Sequence, residues 1–276
     1  MSTVLTKVGE AVIAVNPVAT LIRLQEVPIE EKALEELLSS SGDSFPGSGH
    51  RPENRKTWME GLGPNNVRVH QVAWPGTHDS ATNGIGINLI TRPFAQCQAL
   101  SVYEQLATGC QVLDVHVQED RRVCHGPVTG YPVDVVLDDV KRFLAETSSE
   151  IIILEMRTEF GDPAGFDQFL VDRLGDHLIR QDDQVFNKTI AELLPRRVIC
   201  VWKPSQSLVP NPGGLLWSAG YLRDDWIDTD LPKTKFDSNL SSLSRNPPVS
   251  RRKYWYRVEN TVTPKGDNVY GEYGDA

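Results

Sequence analysis

The chain has 276 residues, of which 39% are hydrophobic and 24% are charged, a composition typical of a folded globular protein. Asp and Glu number 37 against 28 Lys and Arg, so the formal net charge is −9. This acidity argues against a nucleic-acid partner, because nucleic-acid binding depends on basic residues that neutralise phosphates. No apolar run is long enough for a transmembrane segment, and the interrupted apolar stretch at 4–22 lacks the basic start of a secretory signal. Four cysteines without CxxC spacing favour reduced thiols in a cytoplasmic protein.

The first predicted element is a helix followed by a linker. Apolar residues at helical spacing predict a helix over Pro28–Gly42, and the Ser-, Gly- and Pro-rich stretch 39–54 predicts a linker. We therefore divide the chain into a disordered N-terminal extension at 1–27, a helix and linker at 28–65, and a catalytic barrel domain at 66–276.

From Asn66 onward, strand patterns alternate with helix patterns. The predicted strands are Val67–Trp74, Val112–Val117, Ile151–Met156, Val198–Trp202 and Tyr254–Val262. A capping box of Ser101 with Glu104 predicts a helix over Ser101–Ala107, and apolar stripes predict helices around 136–144 and 166–174. Such alternation predicts a mainly parallel sheet, either an open doubly wound sheet or a (β/α) barrel.

Ionisable side chains lie at the carboxyl ends of the strand segments. They are His78, Asp79, Asp114, His116, His125, Glu155, Arg157 and Lys203. Because active sites of parallel α/β folds assemble at that edge of the sheet, we expect these side chains to converge. Two imidazoles supported by carboxylates suit phosphoryl transfer: one takes a proton from an attacking hydroxyl, and the other gives one to the leaving oxygen. Cations around the phosphate would stabilise the charge that develops.

Two other interpretations of these residues stay open. Cys124 and His125 would form a thiol site, although neighbours on a strand point to opposite faces. Asp114, His116 and Glu155 would form a calcium site, although calcium prefers a cage of several oxygens. Nucleotide binding has no support, because no GxGxxG or GxxxxGK[ST] motif follows the first strand.

Several strings resemble the phosphatidylinositol-specific phospholipase C X-domain family. They are WPGTHDSATNGIG (74–86), LDVHVQEDRRVCHGP (113–127) and SEIIILEMRTEFG (149–161). The strings VICVWKP (198–204), WIDTDLPKTKF (226–236) and YRVENTVTP (256–264) resemble the stand-alone X-domain proteins of plants. Together the resemblance covers about residues 40–264.

The resemblance implies a distorted TIM-like (β/α) barrel that cleaves inositol phospholipid at a membrane surface through a cyclic phosphate. It implies His78 as the general base and His125 as the general acid, held by Asp79. Lys203 and Asp228 would contact the headgroup. Arg157 falls where bacterial members have a substrate-contacting lysine and calcium-dependent members a carboxylate, so we expect no metal cofactor, with Ca²⁺ as the alternative.

The sequence departs from the family at two places. His116 replaces an arginine of the bacterial pattern, and a partly charged imidazole would weaken transition-state stabilisation by about 1–3 kcal/mol. The chain continues as KGDNVYGEYGDA at 265–276 instead of the family's final strands, one of which carries an aspartate that orients the base. We therefore expect a truncated form with a barrel incomplete at its C-terminus. The alternative function is a catalytically impaired headgroup-binding module of the same fold.

Overall fold

The computed structural model describes residues 4–8, 11–15, 32, 36, 54–88, 90–205 and 214–263. In chain order, the strands of these residues are β1 (Val4–Val8), β2 (Ala11–Val15), β3 (Gly76–Thr77), β4 (Val112–Val117), β5 (Arg122–His125), β6 (Val128–Pro132), β7 (Ile152–Thr158), β8 (Val198–Lys203), β9 (Trp217–Ser218), β10 (Leu222–Arg223) and β11 (Trp255–Tyr256). Their α-helices are α1 (Trp58–Gly61), α2 (Arg92–Ala95), α3 (Val102–Ala107), α4 (Val133–Ala145), α5 (Phe166–Leu174) and α6 (Pro232–Arg245).

The chain forms two compact units. The larger unit comprises 52–224 and 247–257, and the smaller comprises 1–51, 225–246 and 258–276. In the smaller unit, β1 and β2 form an antiparallel hairpin, where the sequence predicts a disordered extension. Only Lys32 and Glu36 of the predicted helix Pro28–Gly42 are described. Both are helical, and the rest of that helix lies outside the described residues. The predicted division at 1–27, 28–65 and 66–276 stays a prediction.

A mixed sheet forms the centre of the larger unit. Strands β3, β4, β7, β8 and β9 run parallel in that spatial order, as the alternation of strand and helix patterns predicts. Strand β5 turns back against the end of β4 and pairs antiparallel with both β4 and β6. Within the described residues the sheet is open, because its outer strands do not pair with one another.

The central strands are buried on both faces, which explains their nearly continuous apolar sequences. On one face, Leu154 and Met156 of β7 pack in a cluster with Val136 and Phe143 of α4. The other face of β7 contributes Ile153 to a second cluster rich in aromatic rings. Because both faces are covered, a polar side chain on these strands must find its partners at the strand end.

Two predicted strands differ from the structure. In place of the first predicted strand, 67–74, a 3₁₀ turn spans Val69–Gln71, where the amide of Val69 donates to the carbonyl of Lys188. The sheet strand begins only at Gly76, whose missing side chain is required: a Cβ there would lie 2.8 Å from that of Val112. In place of the last predicted strand, 254–262, only β11 forms, because its parallel partner β10 is equally short. The predicted strand Val112–Val117 and the Ser101–Glu104 capping box are confirmed.

No helix in the described part of the chain is both long and apolar enough to cross a membrane.

Candidate active site

A tight turn after β3 brings His78 and Asp79 beside Asp114. The amide of Ser80 donates to the carbonyl of Asp114 (2.7 Å), and the amide of Asp114 donates to the hydroxyl of Ser80 (2.8 Å). These two bonds fix the loop to the middle of β4. Asp79 itself has a φ of 45°, a left-handed conformation that is uncommon for a residue other than glycine and occurs frequently at functional sites.

The register of the parallel strands aligns the remaining polar side chains. Asp114 lies opposite Glu155, and His116 lies opposite Arg157, which in turn lies opposite Lys203. Alternate residues of a strand point to the same face, so these five side chains occupy one face at adjacent strand ends. The sequence pattern predicts this convergence. The antiparallel strand β5 brings His125 to the same end of β4, because β5 reverses there.

Asp79 lies between the two histidines. Its carboxylate is only 2% exposed, and its Oδ2 is 3.1 Å from His78 Nε2 and 3.5 Å from His125 Nε2. The two rings are nearly perpendicular, at 83°, with centroids 6.4 Å apart. Both imidazoles therefore lie within reach of a single phosphodiester group.

His78 is bonded to a carboxylate through each ring nitrogen. Its Nε2 faces Asp79, and its Nδ1 lies 3.2 Å from Asp114 Oδ2. Burial by itself would lower the pKa of His78, but the hydrogen bonds to Asp114 and Asp79 raise this pKa to about 10. Both nitrogens therefore carry protons at neutral pH in this arrangement. The side chain of Asp114 therefore holds the ring of His78 in a fixed orientation.

His116 is held in a similar way. Its Nε2 lies 3.2 Å from Asp114 Oδ1, and its Nδ1 lies 2.6 Å from Glu159 Oε1. Burial opposes the charged form, but these two hydrogen bonds raise the pKa of His116 to about 10. These two partners favour the charged form of His116, whereas the sequence predicts a partly charged imidazole.

Hydrogen bonding sets the orientation of His125. Its Nδ1 lies 2.8 Å from the carbonyl oxygen of Ala95, an acceptor, so this nitrogen donates a proton. When the ring is charged, the proton that it can transfer is therefore the one on Nε2, the nitrogen that faces Asp79. A backbone carbonyl thus fixes the tautomer of the predicted general acid.

Three cations surround one buried carboxylate. Glu155 is fully buried, and its oxygens lie 2.9 Å from Lys203 Nζ, 3.2 Å from Arg157 Nη2 and 2.8 Å from Arg257 Nη1. Arg257 also contacts Asp224 at 2.8 Å and lies 3.6 Å from Asp114. Because three basic side chains already pair with the carboxylate of Glu155, this carboxylate does not fit a calcium site formed with Asp114 and His116.

Sequence reasoning missed three residues of this site: Cys97, Glu159 and Arg257. Cys97 Sγ lies 3.7 Å from Asp79 Oδ2 and 3.6 Å from His125 Nδ1. Burial and the negative charge of Asp79 raise the pKa of Cys97 to about 12, so its sulfur is a neutral thiol. The available signals were the positions of Arg257 in the quoted string YRVENTVTP and of Glu159 in the quoted string SEIIILEMRTEFG, whereas nothing in the sequence pattern singles out Cys97.

The remaining predicted residues have separate positions. Cys124 is buried, and burial raises its pKa to about 12, which makes it a poor nucleophile for the alternative thiol site. Asp228 belongs to the smaller unit, and its headgroup contact stays a prediction.

Fold and site together define an α/β protein with two histidines, set among carboxylates and cations, at its strand ends. Residues 73–202, just under half of the chain, match the family "Phosphatidylinositol-specific phospholipase C, X domain". The predicted resemblance to this family is therefore confirmed over that stretch. Its plant-type assignment and the truncation stay predictions.

Individual relatives agree with this assignment. The 1-phosphatidylinositol phosphodiesterase of Listeria monocytogenes is 32% identical over 114 residues, which are 41% of this chain and 36% of that protein. The match thus spans about a third of that relative's length.

Solved structures are similar over a longer part of the chain. The phosphatidylinositol-specific phospholipase C of Listeria monocytogenes has a TM-score of 0.61 and 22% identity, covering 76% of this chain and 81% of that one. The F249X mutant of the Staphylococcus aureus enzyme has a TM-score of 0.62 and 16% identity, covering 81% and 83%. At these identities the likeness concerns the fold, and it confirms the predicted TIM-like α/β class.

Proposed function

We propose that this protein is a phosphoric diester hydrolase of the phospholipase C type that cleaves inositol phospholipid by two-histidine acid–base catalysis. The observation that carries the proposal is the convergence of His78 and His125 on one oxygen of Asp79, with ring centroids 6.4 Å apart. The X-domain match over residues 73–202 supports the same chemistry.

In the proposed reaction, the inositol hydroxyl next to the phosphate attacks phosphorus. His78 accepts the hydroxyl proton at Nε2, the new P–O bond closes a cyclic phosphate, and the bond to the diacylglycerol oxygen breaks. His125 delivers its Nε2 proton to that leaving oxygen. His78 must first release the proton that it now shares with Asp79, because both of its nitrogens are hydrogen-bonded to carboxylates.

Positive groups would stabilise the charge that develops on the phosphate oxygens. Arg157 and Lys203 are the proposed contacts, and Arg257 holds Glu155 and Asp114 in place beside them. His116 is positively charged, but carboxylates occupy both of its nitrogens. Its proposed contribution is therefore the field of its charge rather than a free N–H donor.

The proposed site of action is a membrane surface, with the protein cytoplasmic and peripheral. Among the described residues, the most exposed large apolar side chains are Ile87, Ile90, Phe94 and Phe160, which are 62–68% exposed. We call these four the apolar rim. Phe94 comes directly before Ala95, whose carbonyl bonds to His125. Phe160 comes directly after Glu159, whose carboxylate bonds to His116. These two residues of the apolar rim therefore flank the site.

Insertion of apolar side chains would anchor this surface. The stretch 84–98 contains a single charged residue, Arg92, whose Nε donates to the carbonyl of Ile85. The chain as a whole carries a net charge of −9, which opposes electrostatic adsorption to anionic lipid. We therefore propose that binding depends on apolar burial and changes little with salt.

The function is tested by the release of water-soluble inositol phosphate from phosphatidylinositol vesicles in the presence of a chelator. We expect turnover by the wild type and by the control His177→Ala, whose histidine lies in a 3₁₀ turn at 175–177. The variants His78→Ala and His125→Ala should each lose most of the activity. Equal turnover by the wild type and the double variant would refute the proposal. Activity that requires added Ca²⁺ would favour the calcium-dependent alternative.

A headgroup-binding module is the second candidate function. The observation that favours it is the double carboxylate bonding of His78, which keeps the proposed base protonated at neutral pH. Co-sedimentation with phosphatidylinositol vesicles without turnover from pH 6 to 10 would support the module over the enzyme.

A further inference from the structure

The thiol of Cys97 lies among the proposed acid–base groups but takes no part in the proposed reaction. Cys97 is exposed, whereas Cys124 and Cys200 are buried and Cys110 is half-buried. The Sγ atom of Cys97 lies 3.7 Å from Asp79 Oδ2 and 3.6 Å from His125 Nδ1. Sulfur, imidazole nitrogen and carboxylate oxygen are the three donor types that zinc prefers in proteins.

The donor atoms have the spacing of a tetrahedral metal site. Donors from His78, Asp79 and Cys97 all lie within 4.8 Å of one another. From Asp79 Oδ2, the distances are 3.1 Å to His78 Nε2, 3.5 Å to His125 Nε2 and 3.7 Å to Cys97 Sγ. Bond lengths of about 2.0–2.3 Å around a tetrahedral zinc ion place its ligands about 3.3–3.7 Å apart. The observed separations lie close to this range.

The surroundings of these donors also resemble those of a metal site. Metal-binding histidines usually donate their second ring N–H to a carboxylate or a carbonyl, which orients the coordinating nitrogen. Here Asp114 accepts from His78 Nδ1, so the Nε2 atom of His78 points towards Asp79. Asp79 is 2% exposed, and its Oδ1 accepts no hydrogen bond from the described residues and lies 3.4 Å from His116 Nδ1.

We propose that Cys97, Asp79 and His78 form an inhibitory site for a soft divalent cation of the zinc class, with a water molecule as the fourth ligand. On binding, Zn²⁺ forms bonds to Cys97 Sγ, to Asp79 Oδ2, to His78 Nε2 and to water. The thiol proton of Cys97 and the Nε2 proton of His78 pass to solvent. Thiolate and imidazole ligands select zinc over Ca²⁺ and Mg²⁺, which prefer oxygen.

Inhibition follows from the same coordination. A metal bound to His78 Nε2 occupies the lone pair that the proposed base uses to accept the hydroxyl proton. The inhibitory effect therefore rests on the proposed function, whereas metal binding does not. Two separate measurements, one of binding and one of turnover, distinguish the two.

Binding is tested with Co²⁺ and Zn²⁺ on the full chain and on two matched variants, Cys97→Ser and Cys110→Ser. The wild type and Cys110→Ser should bind one ion per chain and show the thiolate-to-Co²⁺ charge-transfer absorption. Cys97→Ser should lose this absorption and bind Zn²⁺ at least about tenfold more weakly in competition with a chelating dye. Cys97→Ala serves as a second variant if the serine protein unfolds.

Turnover on phosphatidylinositol vesicles is then measured with and without free Zn²⁺ at a concentration equal to the Kd of the wild type. Zn²⁺ should lower the activity of the wild type and of Cys110→Ser by about half, while Cys97→Ser should keep at least about nine-tenths of its own metal-free rate. Equal Zn²⁺ affinity and equal Co²⁺ absorption in Cys97→Ser and wild type would overturn the proposed site. So would a wild type that binds no Zn²⁺ at equimolar concentration. Binding with the thiolate absorption but no metal-free turnover would uphold the site and refute the proposed function.

Discussion

The replacement of Asp114 by asparagine tests how the carboxylates control the proposed base. Asp114 accepts from His78 Nδ1 at 3.2 Å, and this bond contributes most to the raised pKa of His78, about 10. A base acts only when it is neutral, and a group with a pKa of about 10 is neutral in roughly one molecule in 1,000 at pH 7. In the wild type, the neutral fraction of His78 should therefore rise about tenfold per pH unit and level off only above pH 10.

The Asp114→Asn substitution keeps the size of the side chain but removes its charge. Loss of one neighbouring carboxylate lowers a histidine pKa by about 1–3 units, because the charged ring loses its favourable partner. The midpoint of the His78 titration should therefore move to about pH 7–9 in Asp114→Asn. The kcat/KM should fall as well, because the ring loses its orienting partner.

The assay is the NMR titration of the His78 ring proton from pH 6 to 10.5, with kcat/KM on a short-chain phosphatidylinositol measured in parallel. His177→Ala should leave the midpoint of the His78 titration where it is in the wild type. The reasoning is refuted if the wild-type midpoint lies near 6.5, or if Asp114→Asn leaves the midpoint unchanged or raises it.

Three further predictions concern stability and membrane binding. Burial raises the pKa of Glu150 to about 7, so the folded state holds an extra proton between pH 4.5 and 7. The free energy of unfolding should then fall by about 2–3 kcal/mol from pH 5 to 8, and Glu150→Gln should flatten this fall in urea titrations. Arg257→Met leaves the buried Glu155 with two of its three cations, so it should lower the free energy of unfolding by about 2–4 kcal/mol at pH 7. Phe94→Ser should weaken binding to neutral phosphatidylcholine vesicles about 10- to 100-fold at low and high salt alike, whereas Val249→Ser should not.

The arrangement of the central strands was predictable from the sequence because its signals are local. A strand that is covered on both faces has a continuous apolar sequence. The polar residues that follow the apolar run Ile151–Met156 mark the carboxyl end of such a strand. The first predicted strand was wrong because alternation at Val67–Trp74 reflects packing of a 3₁₀ turn against the chain near Lys188. That contact joins residues more than 100 positions apart and leaves no local pattern.

The electrostatics of the site depended on such distant pairs. Glu159, 43 residues away, joins Asp114 in favouring the charged form of His116, and Arg257 reaches Glu155 across 102 residues. A sequence pattern indicates which residue types end each strand, but only the register β4–β7–β8 shows which of them share hydrogen bonds. For this reason the residue types of the site were predictable, whereas the protonation of His78 and His116 was not.

The most direct test of two-histidine catalysis is the phosphorus NMR spectrum of phosphatidylinositol vesicles during turnover in the presence of a chelator. The wild type should first accumulate a five-membered cyclic inositol phosphate, and the His78→Ala, His125→Ala double variant should produce none. An acyclic inositol phosphate as the first product, or cyclic phosphate formed at the same rate by the double variant, would contradict the mechanism.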